Sequence, residues 1–441
     1  MTGSRSTELD ACAARRAKLM QAMGPDAVAI IPSAREVTRS RDTHYRFRQD
    51  SDFRYLTGFL EPDSIAVLAP GRAGGEYLLF VRPRDAALET WNGRRAGVDG
   101  ARQQYRADQA FNIADFDKEL PRLLEGRARV FYTLGEHPAL DPKITAAVRE
   151  IREVSRRGPA APSEFVALEA SLHEMRLVKT AAEMDVLRKA CAITAQAHVR
   201  AMKFARPGRW EHEVVAEIHH EFEMNGMEPG YGSIVGGGEN ACILHYVENN
   251  MQLKDGELLL IDAGGELAGY TADITRTFPV NGKFTGPQKA VYDVVLAAQK
   301  VATQELVPGK PSDAAHKAAL RVLTQGMVDL KLLSGTVDGL IESEGYKRFY
   351  MHGTGHWLGL DVHDVGRYKL DGKYRPFAAG MVMTVEPGLY IAPGSAGVDA
   401  RFHGIGIRIE DDVHITAQGP EVLTAGVPKE TAEIEALIRG A

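Results

Sequence analysis

From Glu8 to about Met23 apolar residues recur at helical spacing within an Ala- and Arg-rich stretch, a pattern that predicts an amphipathic opening helix. The continuous apolar run AVAIIPSA, Ala27 to Ala34, then reads as a short buried strand closed by Pro32. Two further apolar runs, IAVLA from Ile65 and YLLFV from Tyr77, flank the breaker-rich PGRAGGE, so neighbouring strands joined by a turn are expected. This half reads as a small α/β domain.

The texture changes after VSRRGPAAPSEF, Val154 to Phe165, which mixes Pro, Gly and charge without an apolar period and places a domain boundary. The expected domains are therefore residues 1–165 and 166–441. In the second, Thr180 and Glu183 form a capping box. Met184, Leu187 and Cys191 follow at helical spacing, giving a long helix to about Phe204 that Pro207 and Gly208 stop. Further on, ELLLIDAGG and YTADITRTFPV predict two strands joined through Gly264, Gly265 and Gly269, one apolar and buried, the other alternating. Each carries an aspartate. No low-complexity tract or short-period repeat interrupts the chain.

Composition narrows the partners. A chain of 441 residues, 44% apolar and 25% charged, has room for two or three domains with ordinary cores. The net charge of -6 gives no basis for a nucleic-acid backbone or an anionic membrane as partner and favours small or peptidic ones. Cys12, Cys191 and Cys242 are odd in number and far apart, a poor disulfide framework that fits a reducing compartment. Charges interrupt the N-terminal stretch before a secretory or spanning segment could form, so the cytoplasm is the expected location.

Chemistry enters with the buried carboxylates. Asp262 ends the apolar run LLLID, where an ionised side chain needs solvent or a cation, and Asp273 follows on the second expected strand, where cross-strand pairing could bring the two together. Alone, such a pair also fits ordinary turn or surface aspartates. YMHGTGHWLGLDVHD then crowds His352, His356 and His363 into a Gly-rich stretch, a setting for ligands or acid/base groups, whereas a single histidine would read as a satisfied core residue.

Glu386 in MVMTVEPGLYI and Glu410 in GIGIRIEDDVHI occupy similar apolar, strand-like contexts, with Pro387 and Gly388 ending the first strand and Arg408 on the same strand face as Glu410. Such carboxylates with an imidazole make a mainly oxygen-donor set for two divalent ions, Mn²⁺ first, with Co²⁺, Fe²⁺ or Zn²⁺ as alternatives. A pair of that kind acidifies a water and clamps an oxyanion, which is hydrolase chemistry. Other signals fail: HEVVA from His212 lacks the second histidine of HExxH, and Gly236 to Gly238 lack the Lys and Ser or Thr of a phosphate loop. His219, His220 and His316 read as helix-surface residues.

In that order, DAGG, TADITRTF, HGTGHWLGLDVHD, TVEPGLY and GIRIED resemble the M24 metallopeptidases of pita-bread fold, and within them the aminopeptidase P (Xaa-Pro aminopeptidase) branch. The likeness spans roughly residues 170–420 and extends to SDFRYLTGF and ETWNGRR in the N-terminal half. It implies an α/β two-domain protein, with an N-terminal creatinase/aminopeptidase P-type α/β domain and a C-terminal pita-bread α+β catalytic domain. By motif, Asp262, Asp273, His356, Glu386 and Glu410 would be the metal ligands, with Asp273 and Glu410 bridging both ions. Tyr390 and Arg408 would hold Asp262. His245 in ILHYVENN and His363 would contact substrate, with Tyr231 beside them, and His352 would be a third active-site histidine. Trp91 would reach the site of a neighbouring subunit in a homodimer or homotetramer; alternatively it anchors its own domain.

The activity so implied is release of the residue preceding proline by a metal-bridging hydroxide, with Glu386 shuttling the proton and the free amino terminus near Asp262. An Xaa-Pro bond has no N–H to bind, so selectivity would rest on ring shape and on contacts from His245 and His363. Prolidase shares the ligands but takes only dipeptides, and ILHYVENN and ETWNGRR favour the aminopeptidase P reading over it. Methionine aminopeptidase lacks the extra domain, and creatinase lacks the metal. A silent peptide-binding module would be expected to have lost ligands. The glycine-rich stretch from Ser395 to His403 receives no role.

Overall fold

The computed structural model describes residues 2–154 and 158–440. It divides into two compact units, Met1–Glu174 and Met175–Ala441.

In the first unit a six-stranded sheet runs in the order Gln109–Asn112, Tyr77–Val81, Ile65–Leu68, Ala27–Pro32, Arg129–Phe131, Glu164–Val166. The expected hairpin is present: Ile65–Leu68 pairs antiparallel with Tyr77–Val81, and both runs are buried throughout. Ala27–Pro32 sits between them and a parallel partner, Arg129–Phe131. Helices Phe116–Leu124 and Asp141–Val154 set Leu120, Leu124, Ile144 and Val148 against Val28, Val67 and Phe80. The stretch expected as linker behaves differently: Glu164–Val166 joins the sheet beside Arg129–Phe131, so the chain remains in the first unit through Glu174. Residues 155–157 of that stretch lie outside the described residues.

The second unit opens with the helix Ala181–Phe204, whose capping box is formed: the Thr180 N–H donates to Glu183 Oε2 at 2.8 Å and the Glu183 N–H to Thr180 Oγ1 at 3.4 Å. Three ladders carry the motif residues. Leu258–Asp262 lies between Ile234–Gly237 and Thr275–Pro279; Asp411–Thr416 lies between Val382–Val385 and Gly419–Val422; Gly388–Ile391 pairs with Ile405–Arg408. Helices Ala181–Phe204, Gly286–Gln304 and Ala314–Asp329 bury Cys191, Val291 and Leu323 in one core with Ile261, Val385, Ile407 and Val413. No helix among the described residues is long and apolar enough to cross a membrane.

Asp273 departs from expectation. Asp262 pairs with Thr275, and Asp273 lies before the second strand rather than on it, because a short hairpin, Gly265–Leu267 with Tyr270–Thr271, occupies the connection.

The strands are locked by an ion pair with both side chains fully buried. Arg276 donates from Nη2 to Asp411 Oδ1 at 2.7 Å, and from Nη1 to the carbonyl oxygens of Thr275 at 2.9 Å and Glu410 at 2.5 Å. Asp411 also accepts from Lys429, Gln299 and Thr424. Burial opposes ionisation of Asp411, but the Arg276 and Lys429 charges outweigh it and hold the carboxyl below its ordinary range. Removing one partner strands the other, so Arg276→Ala is expected to destabilise the unit by about 3–5 kcal/mol. A urea midpoint indistinguishable from wild type would contradict this.

Candidate metal centre

A cavity of about 530 Å³ in the second unit is lined by Tyr231, His245, Asp262, Asp273, His352, His356, His363, Glu386, Arg408 and Glu410, together with the apolar Ile234, Leu244, Val247 and Val362. Residues far apart in sequence reach it because strand ends converge there: Asp262 closes one strand, Glu386 follows Val382–Val385, and Glu410 joins Ile405–Arg408 to Asp411–Thr416. Two glycines allow the backbone crossings. A Cβ on Gly264 would lie 1.7 Å from the Ala272 carbonyl oxygen, and one on Gly355 1.9 Å from that of Thr384.

Neutral and cationic neighbours aim the carboxylates. Tyr231 shares its hydroxyl between Asp262 Oδ1 at 2.7 Å and Asp273 Oδ1 at 2.5 Å, and Arg408 donates from Nη2 to Asp262 Oδ2 at 2.6 Å. Arg408 also reaches Thr275 Oγ1 from Nε at 3.1 Å, and that hydroxyl donates to Glu410 Oε2 at 2.6 Å. Arg408 and Glu410 thus face the same threonine. The Asp273 N–H donates to Asp412 Oδ2 at 2.9 Å, which fixes the backbone just before the second strand.

The histidines differ in state. His356 turns Nδ1 to the Trp357 carbonyl oxygen at 3.0 Å, so its Nε2 faces Asp273 at 3.4 Å and Glu386 at 3.7 Å. Burial disfavours its charge, but the hydrogen bond to Asp273 and the Glu386 and Asp273 charges prevail and raise its pKa to about 9. His352 donates from Nδ1 to the Gly353 carbonyl oxygen at 2.7 Å and takes the Tyr390 hydroxyl proton on Nε2 at 2.8 Å. Burial, then the Arg408 charge, lower its pKa to about 4 and keep it neutral. Arg408 Nη1 donates to that tyrosine oxygen at 3.0 Å, so Tyr390 links His352 to the Asp262 clamp. His363 lies edge-on to His356 with ring centroids 4.4 Å apart, and burial followed by the His356 charge lowers its pKa. His245 is exposed at the cavity wall.

The donor set fits a cation on this structure's own terms. Asp273, His356 and Glu410 each offer a ligand atom within 4.8 Å of the others. Glu410 Oε1 is buried with no hydrogen-bond partner. Burial first, then the Asp273, Glu386 and Asp262 charges, push the Glu410 pKa well above its ordinary value. Burial likewise raises Glu386 to about 7, against the His356 and Arg408 charges, and raises Asp273. Like charges gathered out of water call for neutralisation by protons or by metal.

Some placements were not foreseen. Thr275, Asp412 and Tyr390's bridge to His352 have no signal in the motif spacing, although three successive acids, Glu410 to Asp412, inside an apolar strand pattern could have drawn notice. His219 and His316 are not surface residues: each is half-buried and bonded, to Ser233 Oγ at 3.0 Å and to Thr354 Oγ1 at 2.9 Å, because their helix faces turn toward the loops behind the cavity. His220 is exposed as expected. Trp91, 85% exposed on the short helix Ala86–Asn92, belongs to the first unit.

A cleft lined by four buried or half-buried carboxylates, with the His356 imidazole among them, has the constitution of a metal-dependent hydrolase. The chain belongs to metallopeptidase family M24, which matches residues 185–417, and residues 12–132 match the aminopeptidase P N-terminal domain. It is 47% identical over 426 residues to the Xaa-Pro aminopeptidase of Escherichia coli, covering 96% of each chain. The structure matches aminopeptidase PepP of Pseudomonas aeruginosa with a TM-score of 0.96 at 53% identity, covering 98% of each chain. It also matches zinc-substituted E. coli aminopeptidase P in complex with product, with a TM-score of 0.94 at 46% identity over 98% of each chain. The architecture is therefore an aminopeptidase P-type N-terminal domain followed by a pita-bread catalytic domain.

The proton load has a measurable consequence. With its pKa at about 7, Glu386 is mostly protonated near about pH 6 and ionised near about pH 8, so a cation must displace its proton only at the lower pH. Calorimetric titration of Mn²⁺ into chelator-treated protein, in buffers of different ionisation enthalpy, is expected to show more proton release and weaker binding at the lower pH. Equal release at both would contradict the assignment.

Proposed function

We propose that this chain is an Xaa-Pro aminopeptidase that releases the N-terminal residue of peptides whose second residue is proline, and that Asp262, Asp273, His356, Glu386 and Glu410 hold its metal. What carries the reading is the convergence of these side chains in one cavity of a chain closely related to proteins of that name. Two divalent ions, Mn²⁺ foremost, would supply an acidified water and neutralise a developing oxyanion.

The protein's own groups do the rest. Arg408, Tyr390 and Tyr231 hold Asp262 and Asp273 against their mutual repulsion. Glu386, a carboxylate at the cavity wall beside His356, would accept and return the proton. The tertiary amide before proline offers no N–H, so recognition falls to its carbonyl and to the ring. His245 and His363, which line the cavity wall, would meet the carbonyl, and Leu244, Val247 and Val362 would offer the ring an apolar surface. His352, neutral and fixed by Tyr390, completes the polar wall.

Assembly and location belong to the same proposal. The exposed indole of Trp91 suits contact with a neighbouring subunit's site in a homodimer or homotetramer. The unpaired Cys12, Cys191 and Cys242 suit the reducing cytoplasm.

An Xaa-Pro-Xaa tripeptide and an Xaa-Pro dipeptide, offered with chelator and then with added Mn²⁺, test the activity: metal-restored tripeptide cleavage is expected, whereas dipeptide-only cleavage would select prolidase. His363→Ala is expected to lower kcat/KM for the tripeptide by about tenfold or more. Unchanged turnover and affinity would remove His363 from the account.

A further inference from the structure

Glu211 begins the helix Glu211–Met224, and its side chain is fully buried. It folds away from its own helix. Oε1 accepts the Gly237 N–H at 2.8 Å and Asn240 Nδ2 at 2.9 Å, while Oε2 accepts the Tyr246 hydroxyl at 2.8 Å and the Met251 N–H at 2.9 Å. These partners are all neutral donors, and only a carboxylate, an acceptor at both oxygens, satisfies them together. They come from both ends and the middle of one segment, residues 237–251.

Part of that segment faces outward. Ile243 and Val247 are about half exposed, at 53% and 54%, and His245 is exposed. Tyr246, the residue after His245, is the inward anchor and packs with Ile234, Ala241 and Leu260. Asn249, at φ 46°, ties the return through Val235 N–H and the Ser233 carbonyl oxygen, each at 2.8 Å. The Glu211 N–H in turn donates to the Met251 carbonyl oxygen at 3.0 Å. Leu244, His245 and Val247, from the same segment, line the cavity.

We propose that Glu211 is a positioning residue for substrate binding: by clamping residues 237–251 it sets His245 in the cavity wall. The inference rests on the reading of His245 as a substrate contact. It predicts a loss of substrate binding without loss of metal, because Glu211 hydrogen-bonds none of the proposed ligands.

Glu211→Gln sets an amide N–H₂ against another N–H donor. With the Xaa-Pro-Xaa tripeptide, KM is expected to rise about tenfold while kcat stays within about twofold. Bound Mn²⁺ per chain should not change. Tyr246→Phe, which removes one donor and keeps the packing, should raise KM in the same direction by about threefold, and it decides the matter if Glu211→Gln does not fold. In a His245→Ala background neither change should raise KM further, since both act through that imidazole. Unchanged KM in an otherwise active enzyme, full additivity with His245→Ala, or a fall in kcat accompanied by lost Mn²⁺ would each overturn the proposal while leaving the aminopeptidase reading intact. A wild-type protein inactive on the tripeptide would overturn both.

Discussion

Two carboxylates about 4 Å apart repel by roughly 4 kcal/mol at the effective dielectric of a partly buried site, and the second unit brings Asp262, Asp273, Glu386 and Glu410 to one cavity. That repulsion is the constraint around which the C-terminal unit is organised. Arg408 neutralises part of it from one side, Tyr231 spreads a single proton over two aspartates, and the His356 imidazole faces both Asp273 and Glu386. Burial first, and then the neighbouring carboxylate charges, leave Glu386, Asp273 and Glu410 with raised pKa values. Beside this acidic centre the buried Arg276–Asp411 pair ties Arg276 to the Glu410 carbonyl oxygen without entering the cavity, so losing either partner would strand a buried charge.

Strand ends and irregular segments divide the site residues between them. The carboxylates sit at or just beyond strand ends, where ladder hydrogen bonds limit their movement, and backbone crossings at Gly264 and Gly355 bring those ends together. His245, His352 and His363 lie instead on irregular segments, with His352 held there by the Tyr390 hydroxyl. Asp364 shows that an irregular segment can still be held: its carboxylate is paired with Arg176 at 2.6 Å and Lys179 at 2.9 Å, and it follows His363 directly.

Much of this was legible in the sequence, and the limits have physical causes. The strands at Ala27, Ile65 and Tyr77 and the capped helix from Ala181 follow from apolar period and turn chemistry, which act locally. The site residues stood out because carboxylates in apolar strands and histidines among glycines have few ordinary uses. Asp273 was misplaced by two positions from the strand because the intervening hairpin, Gly265–Leu267 with Tyr270–Thr271, is too short to leave a period. The boundary near Phe165 was blurred because an edge strand needs little apolar sequence of its own when its partner supplies the ladder. Thr275, Asp412, His316 and Glu211 stayed silent, since a side chain that serves by hydrogen-bonding a distant backbone or hydroxyl leaves no spacing pattern to read.

The central claim is that five side chains distant in sequence form one receptacle for a pair of cations. Anomalous diffraction at the manganese edge, from crystals grown with Mn²⁺, addresses it directly. The account predicts two peaks about 3.5–4 Å apart, enclosed by Asp262, Asp273, His356, Glu386 and Glu410. A cavity without anomalous density, or ions bound elsewhere on the chain while these residues keep their protons, would contradict it.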